Sequence, residues 1–240
     1  MRKIAISDIH GCSKTLKVLL DKQVGLTSDD ELYLLGDYID RGPDSKGVLD
    51  FIMELRKQGQ VVRCLMGNHE LMMIESREAN KESTVWRLNG GVATIESFGT
   101  STVASIPQQY FDFLYSLEDY ILVDEYILVH AGLNFEYKGN GKAKKDFLWK
   151  IKNPFLDRKS LFWLRNWHDN IDRDWLGNRV IIHGHTPISS YDIQKMNHNL
   201  EELPVLDIDN GCFAKFQAGM GHLCAYDMTN RKLYFQQNIE

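Results

Sequence analysis

Apolar and polar positions alternate with two different periods in the first third of the chain. Short apolar runs occupy Lys3–Ser7, Glu31–Leu35 and Gln60–Met66, and they end at Asp8, Gly36 and Gly67. Runs of this length, bounded by such residues, predict buried strands. Between them, Lys14–Lys22 sets Leu16, Leu19 and Leu20 on one face, and Ser45–Gln58 does the same with Val48, Leu49, Ile52 and Leu55. Apolar residues three and four apart predict amphipathic helices. Strands alternating with such helices predict right-handed crossovers and a largely parallel sheet.

The second half changes character. Tyr120–His130 and Arg179–His183 read as strands, followed by short β-rich pieces around Gly211, Gly219 and Gly221 and a run at Leu233–Gln236. These pieces predict mixed or antiparallel pairing. The expected fold is therefore α/β: two mixed β-sheets packed face to face with helices outside. One domain over residues 1–240 is expected, because no repeat, low-complexity tract or Pro/Ser-rich linker divides the chain. Tyr137–Lys152, lysine-rich around Gly139-Asn140-Gly141, reads as a solvated surface excursion.

Composition removes several classes. A 240-residue chain with 43% hydrophobic and 25% charged residues is globular rather than disordered or coiled-coil. A net charge of −5 argues against a nucleic-acid partner. No apolar run reaches the roughly 18 residues of a membrane helix, and Asp8 interrupts any secretory leader at its start. Cys12, Cys64, Cys212 and Cys224 form no CxxC pair and read as reduced thiols, so a cytoplasmic protein is expected. The oligomeric state is left open.

The strand ends hold the chemistry. They carry Asp8-Ile9-His10-Gly11, Gly36-Asp37 with Asp40-Arg41-Gly42, Gly67-Asn68-His69-Glu70, His130-Ala131-Gly132, and His183-Gly184-His185-Thr186. Ligands of open α/β sheets bind beyond the carboxyl ends of strands. Each cluster alone has an ordinary reading: a surface turn, or a satisfied core histidine for His130. Their recurrence at successive strand ends favours a metal centre. Asp8 and His10, two apart on an extended segment, point to one side and can grip one ion. Asp37 can bridge two ions, and Asn68, His130 and His185 can complete the second. Such N/O ligands without thiolate predict two divalent ions, Mn2+ first, with Fe or Zn2+ as alternatives. Two adjacent ions polarise a phosphoryl group and turn a shared water into hydroxide.

These elements resemble the metal-dependent phosphoprotein phosphatases of the calcineurin-like phosphoesterase superfamily, whose signature is D-x-H-G, G-D-x-x-D-R-G and G-N-H-E. Trp86-Arg87-Leu88-Asn89-Gly90-Gly91, Phe162-Trp163-Leu164-Arg165 and Ile208-Asp209-Asn210-Gly211 extend the likeness to its bacterial and phage branch. The resemblance implies that Asp8, His10 and Asp37 hold one metal, and that Asp37, Asn68, His130 and His185 hold the other. It also implies that His69 is the general acid, that Asp40 orients it, and that Arg41 and Arg165 bind substrate phosphate. Arg158 and Arg173 are rivals for the second arginine. Glu70 is expected to be a helix-start carboxylate, His183 a neighbour or a packed strand residue, and Cys12 no nucleophile.

The activity implied is hydrolysis of phosphoserine and phosphothreonine in proteins or peptides, by direct attack without a phosphoenzyme. The nearest rival is a symmetric dinucleoside tetraphosphate hydrolase, which shares the metal core. A non-catalytic binding module is disfavoured by the intact ligand set. A nuclease is disfavoured by the absence of a basic stripe.

Overall fold

The computed structural model describes residues 1–79, 83–138 and 148–240. The first three apolar runs form β1 (Lys3–Ile6), β2 (Glu31–Leu34) and β3 (Val61–Cys64), paired in parallel with Ile4, Leu32 and Val62 in register. The intervening helices are α1 (Ser13–Val18), continued to Val24 by π-type turns, and α2 (Ser45–Lys57). Asp44 caps α2 by accepting Gly47 N–H at 2.9 Å, satisfying a donor the helix itself cannot. After β3 come α3 (Asn68–Glu78), α4 (Thr84–Trp86), α5 (Val92–Ser97) and α6 (Gln108–Tyr115).

The predicted single strand Tyr120–His130 is instead a hairpin of β4 (Tyr120–Val123) and β5 (Tyr126–Val129). Asp124, at φ 49°, makes the turn; aspartate tolerates this left-handed conformation better than most side chains. Next come β6 (Glu136–Lys138) and β7 (Leu148–Lys150), paired antiparallel. Most of the expected lysine-rich excursion, residues 139–147, lies outside the described residues.

The chain continues through α7 (Arg158–Trp163), α8 (Arg173–Leu176), β8 (Val180–His183), α9 (Ser190–His198) and β9 (Val205–Asp207). It ends with β10 (His222–Asp227) and β11 (Lys232–Gln237). The pieces around Gly211, Gly219 and Gly221 are turns rather than strands, because all three glycines have positive φ.

One sheet has the order β11-β10-β1-β2-β3 and the other β4-β5-β8-β9, each mixing parallel and antiparallel pairs. Strand alternation divides the core. Ala5, Tyr33 and Leu35 of the first sheet cluster with Ile121, Leu128, Ile182 and Leu206 of the second. Their strand neighbours Ile4, Ile6, Leu32 and Leu34 pack with Leu16, Val48 and Ile52 of the helices. Successive side chains point to opposite faces, so the two sheets meet face to face and helices cover the outside. The α/β architecture expected from the sequence is the one observed. Among the described residues, no helix is long and apolar enough to cross a membrane.

Candidate metal centre

The loops after β1 and β2 are joined before any side chain is considered. Ile9 N and His10 N both donate to Asp37 O, at 3.0 and 2.9 Å, and Gly11 N donates to Tyr38 O at 2.9 Å. His10, Asp37, Asp40, Arg41 and His185 all have positive φ, at 46°, 52°, 71°, 67° and 71°. Each such residue costs on the order of 1 kcal/mol and persists only where its surroundings fix it. Here the strain bends carboxylates and imidazoles toward one point. Gly184 shows how close the approach is: a Cβ there would lie 2.1 Å from Asp8 Oδ2.

Two groups of ligand atoms result. Those of His10, Asp37 and His69 lie within 4.8 Å of one another, as do those of Asp37, His130 and His185. Asp37 belongs to both groups, as a bridging carboxylate must. Asp8 stands beside them, its oxygens accepting His185 N at 3.1 Å and Ser7 Oγ–H.

The hydrogen bonds fix which atoms face inward. His130 Nδ1 lies 2.8 Å from Leu35 O. A carbonyl only accepts, so Nδ1 carries a proton and Nε2 is the atom turned inward. It faces Asn68 Oδ1 at 3.0 Å and Asp37 Oδ1 at 3.4 Å. Asn68 Oδ1 also lies 2.9 Å from His185 Nδ1, so nitrogen and oxygen ligand atoms gather on one point. His10 repeats the arrangement: Nδ1 is 2.9 Å from Ile39 O, while Nε2 faces Asp37 Oδ2 at 3.6 Å. His185 Nε2 is buried and has no hydrogen-bond partner. The donor set therefore fits divalent metal.

The electrostatics agree. Burial, with Arg41 adding to it, holds His10 well below the usual imidazole range. Burial and His130 push His185 down to about 2. Both imidazoles are thus neutral, the form that ligates. Burial opposes ionisation of Asp37, but His130 and then His69 outweigh it and hold its carboxyl well below the usual range.

His69 lies in the first turn of α3, and its Nδ1 is 2.6 Å from Asp40 Oδ2. Asp40 is itself fixed by Trp86 Nε1–H at 2.8 Å and Thr94 Oγ1–H at 2.5 Å. Burial opposes the imidazolium, yet Asp37 and Asp40 prevail and raise the His69 pKa. A histidine held this way can carry a proton toward the ligand cluster.

The arginines differ in setting. Arg41 is half-buried, with Nη1 2.7 Å from His10 Nε2 and its guanidinium 4.2 Å from the Phe213 ring centroid. Arg165 is exposed and donates from Nη1 to Thr186 Oγ1 at 3.0 Å, next to His185. Its rivals lie elsewhere: Arg158 pairs with Asp119 at 2.6 Å, and Arg173 donates to Glu202 O.

Sequence reasoning missed two supports besides the Trp86 and Thr94 bonds to Asp40. Glu70 does more than start a helix. It accepts the amides of Asp37, Tyr38 and Gly67 at 2.8, 2.8 and 3.0 Å, tying the β2 loop to α3. Burial, with Asp37 adding to it, pushes its carboxyl up to about 8, while the amides pull the other way. Its position three residues after the Gly67 cap is the signal that could have found it. Asn210 is the second: its Nδ2 donates to Ile188 O and Gly219 O, both at 2.9 Å, bracing the loop beyond His185. His183 is buried, with Nε2 2.7 Å from His168 Nε2 and Nδ1 3.0 Å from Gly184 O. All four cysteines are buried and free.

Comparison with known proteins gives this geometry a family. The chain is 32% identical over 133 residues to a symmetrical bis(5'-nucleosyl)-tetraphosphatase of Nitrosomonas europaea, a match covering 55% of this chain and 45% of that one. It is 40% identical over 86 residues to serine/threonine-protein phosphatase 1 of Salmonella typhimurium, covering 36% and 37%. Matches to the symmetrical tetraphosphatases span between 26% and 45% of those relatives' own length. A metallophosphoesterase structure from Sphaerobacter thermophilus superposes with a TM-score of 0.57 at 15% identity, covering 100% of this chain and 89% of that one. The family model for calcineurin-like phosphoesterases matches residues 1–214, and the chain belongs to that family.

Proposed function

We propose that this chain is a dinuclear phosphohydrolase whose substrate is a dinucleoside tetraphosphate. The observation that carries the chemistry is the convergence of His130 Nε2, Asn68 Oδ1 and Asp37 Oδ1 on one point. Asp8, His10 and Asp37 would hold one divalent ion; Asp37, Asn68, His130 and His185 would hold the second. Mn2+ is our first choice. Such ions supply neutralisation of phosphate charge and an acidity that makes water nucleophilic at neutral pH.

The chain's own residues do the rest. Arg41 and Arg165 present guanidinium forks, which bind phosphate oxygens in pairs. His69 gives a proton to the departing oxygen, and Asp40 keeps its ring aimed. An anhydride releases a phosphate, a far better leaving group than an alkoxide, so this substrate leans less on His69 than a phosphoester does.

The substrate choice rests on the relatives, several of which are named symmetrical tetraphosphatases. They reverse the order expected from the sequence, which put phosphoproteins first. A phosphoprotein remains the second reading, favoured by the similarity to the Salmonella typhimurium phosphatase. The test is kcat/KM of Mn2+-loaded protein for diadenosine tetraphosphate against a phosphothreonine peptide. We expect the dinucleotide to be preferred, giving two nucleoside diphosphates. Preference for the peptide would overturn the substrate and leave the metal centre standing.

A further inference from the structure

The two sides of the metal centre carry matching equipment. On one side stand His10, Arg41 and Phe213. The Phe213 ring lies 5.2 Å from the His10 ring at 88°, and 4.2 Å from the Arg41 guanidinium. On the other side stand His185, Arg165 and Trp163. The Trp163 ring lies 6.5 Å from the His185 ring at 84°, and Arg165 reaches back to Thr186. Each side thus offers an imidazole of the candidate ligand groups, a guanidinium for phosphate and an aromatic ring beside them. Phe213 is half-buried, and Trp163 keeps 40% of its surface exposed at the last residue of α7. Neither ring is sealed in the core, as Trp86, Phe111 and Phe162 are.

We infer that Phe213 and Trp163 are the two nucleobase platforms of the site, one for each end of a substrate whose phosphates lie between them. This rests on the dinucleotide reading above and adds to it the residues that select for bases. The chemistry follows from the arrangement. A phosphate chain needs only cations, which the centre supplies along its length. Flat aromatic groups at both ends need apolar faces, and stacking a base on an aromatic side chain is tolerant of base identity. Arg41, lying on the Phe213 ring, adds a second planar cationic surface at that end. A phosphopeptide would use the central groups and have no need for a ring on each side.

The experiment compares diadenosine tetraphosphate with inorganic tripolyphosphate, which has the anhydride but no base. For each protein, the ratio of kcat/KM for the dinucleotide to that for tripolyphosphate is measured. The proteins are wild type, Trp163→Ala, Phe213→Ala and the aromatic replacements Trp163→Phe and Phe213→Tyr. We expect each alanine variant to lower the ratio roughly 5- to 100-fold, the worth of one base–aromatic stack. The loss should appear in KM, and the aromatic replacements should restore most of the ratio. Variants that lower both substrates equally would mean the rings only support the ligands, and would overturn the inference. A wild type that hydrolyses tripolyphosphate but not the dinucleotide would instead overturn the substrate reading, and the platforms with it.

Discussion

His69 contacts both a candidate ligand and its own orienting carboxylate. Its Nε2 is 3.9 Å from Asp37 Oδ2, and its Nδ1 is bonded to Asp40. That position fits a proton donor beside the metals, and it also fits a metal ligand. Replacement with asparagine separates the two. If His69 is the acid, His69→Asn retains both ions by elemental analysis and slows phosphothreonine hydrolysis by about 10²- to 10⁴-fold. Diadenosine tetraphosphate, with its better leaving group, should be slowed less. Loss of an ion would make His69 a ligand. Glu70 acts one step further out. Glu70→Gln keeps the size but turns an NH₂ group toward backbone amides that need an acceptor. About 1–3 kcal/mol of stability should be lost, the usual penalty for unmatched buried donors. Urea unfolding measures it, and an unchanged midpoint would remove Glu70 from the support of the site.

At the scale of elements, the segment between α4 and α5 works on the site without entering it. Gly90, at φ 109°, accepts Arg41 N–H at 3.3 Å, and a Cβ at Gly90 would lie 2.6 Å from that nitrogen. Gly90→Ala should therefore displace Arg41. A shift of about 1 Å in a positioning group can cost about 10²-fold in rate. Gly99→Ala is the control: it also has positive φ, but open space surrounds its missing Cβ. It should cost about 1 kcal/mol in stability and leave kcat/KM alone. Equal activity loss in both would show that the Gly90 effect is only backbone strain. This segment also marks the limit of what the sequence reveals. The parallel strands and the ligand-bearing loops were legible, because burial on both faces writes continuous apolar runs and each run ends in a polar cluster. The hairpin turn at Asp124 was not, since Tyr120–Val129 reads as one apolar stretch broken by only Asp124 and Glu125. β9 has three residues, too few to show a period. Glu70's bonds to the Asp37 and Tyr38 amides and the bonds of Trp86 and Thr94 to Asp40 were hidden for another reason. Those partners lie between 32 and 54 residues apart, and no local pattern reports them.

The whole molecule is closed by contacts far from the metals. Asp30 lies between Arg2 and Thr27, accepting Arg2 Nη2–H at 2.6 Å and Thr27 N–H at 2.9 Å. Arg2 also donates to Val24 O and Gly25 O, both at 2.9 Å. One carboxylate thereby joins the start of β1, the end of the first helical segment and the turn into β2. The Arg2 guanidinium holds the Asp30 carboxyl well below the usual range, against the opposing effect of burial. The sign follows from linkage. A carboxyl with a lower pKa folded than unfolded stabilises the fold above its unfolded pKa of about 3.9, and that stability is lost as pH falls. Asp30→Asn should cost about 1–3 kcal/mol at pH 7, as a half-buried guanidinium is left without its carboxylate. The gap to wild type should narrow by about 1 kcal/mol at pH 3, where the unfolded wild type is already protonated. Urea midpoints at pH 7 and pH 3, with the metals chelated in every sample, isolate this term from the metal centre. A gap of the same size at both pH values would mean that Asp30 contributes through shape and hydrogen bonding alone, and its charge would drop out of the account.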